Sequence, residues 1–310
     1  MTVIAVSGAS GFVGRHLCPA LASLGNRVIK ISRAELQAES LDRTLEGVDA
    51  VVHLAARAHV LKDSSADPRA EFWKVNVGLT QSAARAAMRA GVKRFIFLSS
   101  AGVLGSKSPP PGFDDHSPPR PHDAYTQSKL DAELWLNAEL DARMLLVILR
   151  PPVIYGPGAR GNFQRLIRMA VNGWPLPIGG FRAPRSMIGV RNMVNLIAVA
   201  AAHPGALRTT VLAADAETIS VADLYAAIAR LAGRTPWLAP LPPTIIRYLL
   251  ILTGRRSDVV RLTDPFELRP FKAQSQLGWM PPHRLADELR WTVLSELDTR
   301  SATRSRATRP

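Results

Sequence analysis

The stretch Val6-Ser7-Gly8-Ala9-Ser10-Gly11-Phe12-Val13-Gly14-Arg15-His16-Leu17 sets three glycines three residues apart, directly after the apolar run Thr2-Val3-Ile4-Ala5-Val6. A strand that turns into a helix on glycines offers backbone N–H groups and a helix N-terminus to an anion, and the missing Cβ atoms let the backbone come close to it. The spacing is G-x-x-G-x-x-G, which differs from the dinucleotide form with two glycines one residue apart. No Gly-Lys-Ser/Thr follows, as a mononucleotide loop would require. The plain alternative is a tight turn that holds no ligand.

Working outward from that turn, short apolar or β-branched runs at Val3 to Val6, Arg27 to Ile31, Asp49 to Leu54, Arg94 to Ser99 and Met144 to Leu149 predict strands. Amphipathic patterns at Gly14 to Leu24, Phe72 to Ala90 and Tyr125 to Leu140 predict helices between them. Continuous apolar strands alternating with helices imply an α/β fold, a doubly wound parallel sheet covered on both faces, over residues 1–150. Past Arg150 the rhythm is broken by Pro151-Pro152, Gly156-Pro157-Gly158 and Trp174-Pro175-Leu176-Pro177. The expectation there is a smaller mixed C-terminal region over residues 151–298, with helices near Phe163 to Val171, Val190 to Ala202 and Val221 to Leu231, fed by a late strand around Thr210 to Ala214.

The chain has 310 residues, 47% of them hydrophobic, enough for a large core. No run reaches the roughly 20 apolar residues that cross a bilayer, and the N-terminus lacks a basic region and a cleavage site, so the expected location is cytoplasmic. The single cysteine, Cys18, can form neither an internal disulfide nor a metal site and reads as packing; no metal is expected. The formal net charge of +14 suits nucleic acid, anionic membranes or phosphorylated small molecules. Basic residues are not interleaved with aromatics, which make up only 6% of the chain, and this disfavours nucleic acid. The apolar run Thr244 to Arg256 carries arginines and is too short to span; membrane-surface contact is the less favoured reading of it, after packing in a core or dimer interface. Residues 299–310, rich in Arg, Ser and Thr, read as a disordered basic tail.

A second constellation bears on chemistry. Tyr125 and Lys129 stand one turn apart on a predicted helix, where a lysine ammonium beside a phenol would lower its pKa and make it a usable acid and base. Ser99-Ser100 ends the fourth confident strand, so hydroxyls stand at the carboxyl edge of the sheet, where ligands of such folds bind. Alone, a Y-x-x-x-K match is an ordinary solvated helix face. In line with the glycine turn, it is a candidate active site.

These landmarks resemble the extended short-chain dehydrogenase/reductases, specifically the nucleotide-sugar epimerase/dehydratase family. The glycine turn, Val52-His53-Leu54-Ala55-Ala56, Asn76 between Val75 and Val77, Ser99-Ser100, Tyr125 with Lys129, and Leu149-Arg150-Pro151 through Tyr155-Gly156-Pro157 carry the likeness, which runs from about Val3 to Trp291. It implies a Rossmann-type dinucleotide-binding domain and a hydride passed between a sugar carbon and a nicotinamide. Tyr125 would pass the proton, Lys129 would hold the nicotinamide ribose, and Ser100, placed by counting back from Gly105, would hydrogen-bond the sugar oxygen. The cofactor contacts implied are Gly8, Ser10, Gly11, Phe12, Val13, Gly14, Ser32, Arg33, Leu54, Ala55, Ala56, Asn76, Ser99, Tyr125, Lys129 and Pro151. Substrate contacts implied are Ser100, Asn162 and Arg185 at the phosphates and Pro177 along the base, with Arg255, Arg256 or Arg261 as a further phosphate contact. His53 reads as a core histidine, and His59 is left open. A homodimer through the two long helices is also implied.

Departures from the family pattern bear on the reaction. Ala101 and Gly102 replace the Asp-Glu pair that serves dehydratases. The second strand ends Lys30-Ile31-Ser32-Arg33, without the acidic residue that accepts hydrogen bonds from the NAD ribose; Arg33 with Ser32 suits a 2′-phosphate. NADP(H) is therefore favoured over NAD(H), and with it NADPH-dependent reduction of a nucleotide-linked 4-keto-6-deoxy-N-acetylhexosamine for surface polysaccharide synthesis. The alternatives are a UDP-sugar 4-epimerase with retained NAD and a non-catalytic NADP(H)-binding regulator.

Overall fold

The computed structural model describes residues 1–58, 67–205, 207–239, 241–242, 244–245, 248 and 263–307. His59, Arg255, Arg256 and Arg261 lie outside the described residues, as does most of the Thr244 to Arg256 run.

The first half alternates as its hydrophobic pattern demands. In order come β1 (Val3–Ser7), α1 (Phe12–Ser23), β2 (Arg27–Ile31), the short α2 (Arg33–Gln37) and α3 (Leu41–Thr44), then β3 (Ala50–His53). They are followed by α4 (Pro68–Trp73), α5 (Leu79–Arg89), β4 (Arg94–Leu98), β5 (Phe113–Asp114), α6 (Ala124–Glu139) and β6 (Leu145–Arg150). The expected helix from Phe72 to Ala90 is divided: a π-helical turn, Lys74–Gly78, separates α4 from α5 and puts Asn76 on the inside. A 3.6-residue periodicity does not register such a turn.

Beyond β6 lie β7 (Val153–Tyr155), α7 (Asn162–Val171), β8 (Arg185–Gly189), α8 (Val190–Ala202), β9 (Arg208–Leu212), β10 (Thr218–Ile219) and α9 (Val221–Leu231). The described chain ends with β11 (Leu268–Arg269), α10 (Phe271–Leu277) and α11 (Leu285–Ala307). The main sheet has six strands in the order β2-β1-β3-β4-β6-β9, all parallel. The late strand expected to feed the second region is thus corrected: β9 pairs with β6 and completes the main sheet. Its Thr209-Thr210-Val211-Leu212 fits a pleated, half-buried surface wherever it is offered one, and only the tertiary pairing decides which sheet takes it. The second layer has its own small sheet, β10-β8-β7.

The tail expectation is also corrected. Residues 299–307 continue α11. The helix is anchored by buried Leu285, Leu289 and Val293 against Tyr225 and Phe163, and propagation from an anchored turn costs little where no proline intervenes. Arg300 and Glu296 add an i,i+4 ion pair at 3.1 Å.

One face of the main sheet is covered by α1, α8 and α10 through Leu17, Leu21, Ile197 and Leu277; the other by α5 and α6 through Ala83, Ala87, Ala132 and Leu136. The chain passes from β1 to β2 on one side and then crosses to β3 on the other side of β1. Such a reversal opens a crevice at the carboxyl ends of β1 and β3, where ligands of open parallel sheets bind.

Candidate active site

The glycine turn lies at that crevice. Gly8 has φ +70, and a Cβ there would stand 2.8 Å from Leu54 C and Ala55 N; one on Gly14 would stand 2.4 Å from Gly8 O. Gly11 N donates to Gly8 O at 2.9 Å, and the turn enters α1 with no side chain capping it. The first-turn N–H groups of Phe12, Val13 and Gly14 have no helical acceptor by geometry, so the turn is a cradle for an anion, which fits a dinucleotide pyrophosphate. Leu54 N and Ala55 N are held by Ser7, through its carbonyl at 3.2 Å and its hydroxyl at 3.4 Å, which fixes Leu54-Ala55-Ala56 beside the cradle. His53 is fully buried between Phe95 and Phe97 with Nδ1 2.9 Å from Ser7 Oγ. Burial and the charge of Lys129 push it down to about 3, which makes it a neutral core histidine.

Two strands further along, Ser99 and Ser100 leave β4. Ser100 accepts from Gly102 N at 3.1 Å, and its hydroxyl acts on the Tyr125 phenol, drawing its pKa down. Pro151 O accepts from Ala101 N at 2.7 Å, so the end of β6 holds this turn in place. Tyr125 stands in the first turn of α6, whose start is fixed by a capping box between Asp123 and Thr126. Asn76 Nδ2 donates to Ser128 Oγ at 2.9 Å, and Ser128 donates to Tyr125 O at 2.7 Å, which ties the π-helical turn to the helix that carries the phenol. Asn76 also accepts from Arg57 N at 2.7 Å.

Lys129 is buried at 2% exposure, donates to Leu98 O at 2.6 Å and lies 4.4 Å from the Phe97 ring centroid. Burial pushes its ammonium down to about 7, against the charge of Glu133. Tyr125 goes the other way: burial, with Asp123 adding to it, pushes the phenol up to about 12, and the Ser100 hydrogen bond pulls only partly back. The expectation that Lys129 depresses Tyr125 is therefore corrected; the helical spacing is right, but loss of hydration outweighs the neighbouring charge.

Glu133, unremarked in the sequence, lies beneath this cluster. It accepts from Ser99 Oγ and from Arg150, whose Nε is 3.1 and 3.2 Å from its two oxygens; the paired side chains are 3% and 10% exposed. Ser99, expected among the cofactor contacts, thus spends its hydroxyl on this buried pair. Glu133 lies four residues after Lys129, so the i,i+4 rule applied to the active lysine was the signal for it.

The other expected residues are more dispersed. Ser32 is exposed and caps α2, accepting from Glu35 N at 3.2 Å, while the Glu35 carboxylate accepts from Ser32 N at 2.7 Å. A carboxylate does reach the end of β2, from three residues on. Arg33 beside it is exposed and makes no ion pair among the described residues. Ser10 is exposed on the glycine turn. In the second layer Asn162 is exposed at the start of α7 and Pro177 is exposed on its loop. Arg185 is half-buried on β8, donating to Asp264 O at 2.6 Å, so its guanidinium is at least partly committed to the protein itself.

The profile of the NAD dependent epimerase/dehydratase family matches residues 4–213. A UDP-glucose 4-epimerase of Vibrio cholerae is 32% identical over 94% of this chain and 94% of its own length. An N-acetyl-alpha-D-glucosaminyl-diphospho-ditrans,octacis-undecaprenol 4-epimerase of Escherichia coli O157:H7 is 32% identical over 61% of this chain and 60% of its own. Among solved structures, MoeE5 in complex with UDP-glucuronic acid and NAD superposes with a TM-score of 0.77, 25% identity, and coverage of 96% of this chain and 100% of that one.

Proposed function

The chain belongs to the NAD dependent epimerase/dehydratase family, and from that premise we propose that it is a 4-epimerase acting on a UDP-linked hexose or N-acetylhexosamine. The observation that carries the reading is the gathering of Ser100, Tyr125 and a buried Lys129 next to a glycine cradle at the switch point of the sheet. A bound dinucleotide supplies the hydride acceptor and donor. The protein supplies the rest. Ser100 orients the 4-oxygen of the sugar and Tyr125 exchanges a proton with that same oxygen. Lys129, whose ammonium is positioned by Leu98 O, would hold the nicotinamide ribose. Ala101 and Gly102 offer no acid or base for removal of water, which argues against a dehydratase.

A second reading, NADPH-dependent reduction of a 4-keto sugar, is favoured by Arg33, exposed just past β2 and without an ion pair among the described residues. Glu35 on Ser32 N weighs against a 2′-phosphate there by like-charge repulsion. The test is to denature freshly purified protein, identify any dinucleotide released, and follow UDP-N-acetylglucosamine and UDP-glucose with no coenzyme added. Retained NAD with interconversion of a C4 pair supports the epimerase. Protein that purifies empty, prefers NADPH and oxidises it stoichiometrically with a UDP-4-keto sugar replaces that reading with the reductase.

A further inference from the structure

Away from the cleft, the described residues carry a groove that the proposed reaction does not use. Arg165, Arg168, Met169 and Asn172 project from one stripe of α7, Trp174 follows the turn that ends it, and Arg300 closes the groove from α11; the cavity is about 330 Å3. Among the described residues no carboxylate lines it directly; Glu296 reaches it only through its ion pair with Arg300. Arg300 is held in place, donating to Asn172 Oδ1 at 2.8 Å and to Glu296 at 3.1 Å. Arg234 extends the basic rim: its Nε donates to Val171 O at 3.3 Å and its stem lies over Gly173.

Beside these arginines the surface turns apolar. Trp174 is 58% exposed and Trp237 63% exposed, and the loops that carry them run side by side, Leu176 N donating to Trp237 O and Ala239 N to Leu176 O, both at 3.1 Å. Further along the segment that carries Trp237, Leu241 and Ile245 are 39% and 48% exposed. Large apolar side chains exposed on adjoining loops mark an interaction site rather than the ordinary scatter of surface hydrophobics. Indoles next to guanidinium groups on long aliphatic stems match the boundary of a bilayer, where ring and stem lie among headgroups and the charge meets lipid phosphate.

We propose that this face docks the protein on an anionic phospholipid surface, with Arg165, Arg168 and Arg300 around lipid phosphate and Trp174 and Trp237 at headgroup depth. Exposed Leu241 and Ile245 favour a lipid over a nucleic acid, since a polyanion offers aliphatic side chains nothing in exchange for water. The net charge of +14 adds long-range attraction to such a surface.

Flotation of the full chain with extruded vesicles tests the proposal, comparing pure phosphatidylcholine with phosphatidylcholine containing one quarter phosphatidylglycerol. The expected result is association with the anionic vesicles only, weakened by salt. Removing a surface arginine weakens binding about fivefold, so Arg165→Ala with Arg168→Ala lowers the partition coefficient roughly 25-fold. Trp174→Ser with Trp237→Ser loses binding and the blue shift of tryptophan emission, while circular dichroism and coenzyme binding stay those of the parent. Equal association with neutral vesicles overturns the proposal, as does retention on heparin without flotation. A concentration-dependent mass that the Trp174→Ser, Trp237→Ser variant lowers, with no vesicle binding, assigns the face to a second copy and overturns it too.

Discussion

Glu133→Gln tests how the site is held together. The carboxylate joins α6 to the ends of β4 and β6 through Ser99 and Arg150, and the ion-paired side chains are 3% and 10% exposed. Glutamine keeps the shape but leaves the Arg150 guanidinium buried without a counter-charge, a loss of about 3–5 kcal/mol. With roughly 2.1 cal/mol/K of unfolding entropy per residue, a chain of 310 residues loses about 5–8 °C of melting temperature for that change. Glu133→Leu together with Arg150→Met removes both charges at once and recovers most of the loss, whereas Ser99→Ala removes one hydrogen bond and costs about 1 kcal/mol. Calorimetry on the parent, the Glu133→Leu and Arg150→Met singles and their double gives the coupling directly. A Glu133→Gln protein that melts within about 1 °C of the parent, or a double variant no better than the worse single, refutes the reasoning.

Gly14→Ala forces a Cβ to 2.4 Å from Gly8 O and 2.6 Å from Ala9 Cα, where only the backbone can give way. Coenzyme affinity should fall by about two orders of magnitude in a fluorescence titration, against about tenfold for Gly11→Ala, whose Cβ meets Gly8 O at 3.1 Å; equal affinities would contradict the cradle. Lys129 is depressed from 10.5 to about 7 in the folded protein, so between those values the unfolded chain binds more protons and stability rises with pH; the burial penalty is fully present below about 7. Lys129→Met should therefore melt above the parent at pH 6, by an amount of order 2–4 kcal/mol, with the gap closing toward pH 10; a gap independent of pH would show the lysine buried without such a penalty. Tyr125→Phe should lower turnover about 10²–10⁴-fold without lowering the melting temperature, and full activity in that variant would remove Tyr125 from the proton path.

Much of the frame was legible because it is local. The run Arg27–Ile31 and the helices Val190–Ala202 and Val221–Leu231 fall where the periodicity puts them, and Gly8, Gly11 and Gly14 are spaced for the turn they make. What escaped was settled by contacts distant in sequence. Thr210 reads as a strand, but its pairing with Ile148 is a tertiary choice. Residues 299–307 are polar enough to read as a tail and are helical because Leu285, Leu289 and Val293 dock the first turns of the same helix.

The active pair shows the same limit in electrostatic form. Spacing placed Tyr125 and Lys129 one turn apart on α6, which the helix confirms, and from adjacency alone a lysine should draw the proton off a phenol. Depth is what spacing omits. Lys129 is buried and Tyr125 half-buried, and loss of hydration penalises the charged form of each, so the phenol rises to about 12 while the ammonium falls to about 7. The two shifts share one cause: burial favours the neutral form of each, the protonated phenol and the deprotonated amine. Glu133 limits the fall on the lysine side and Ser100 the rise on the tyrosine side, so the residues that set the site's charge include one the sequence pattern named and one it passed over.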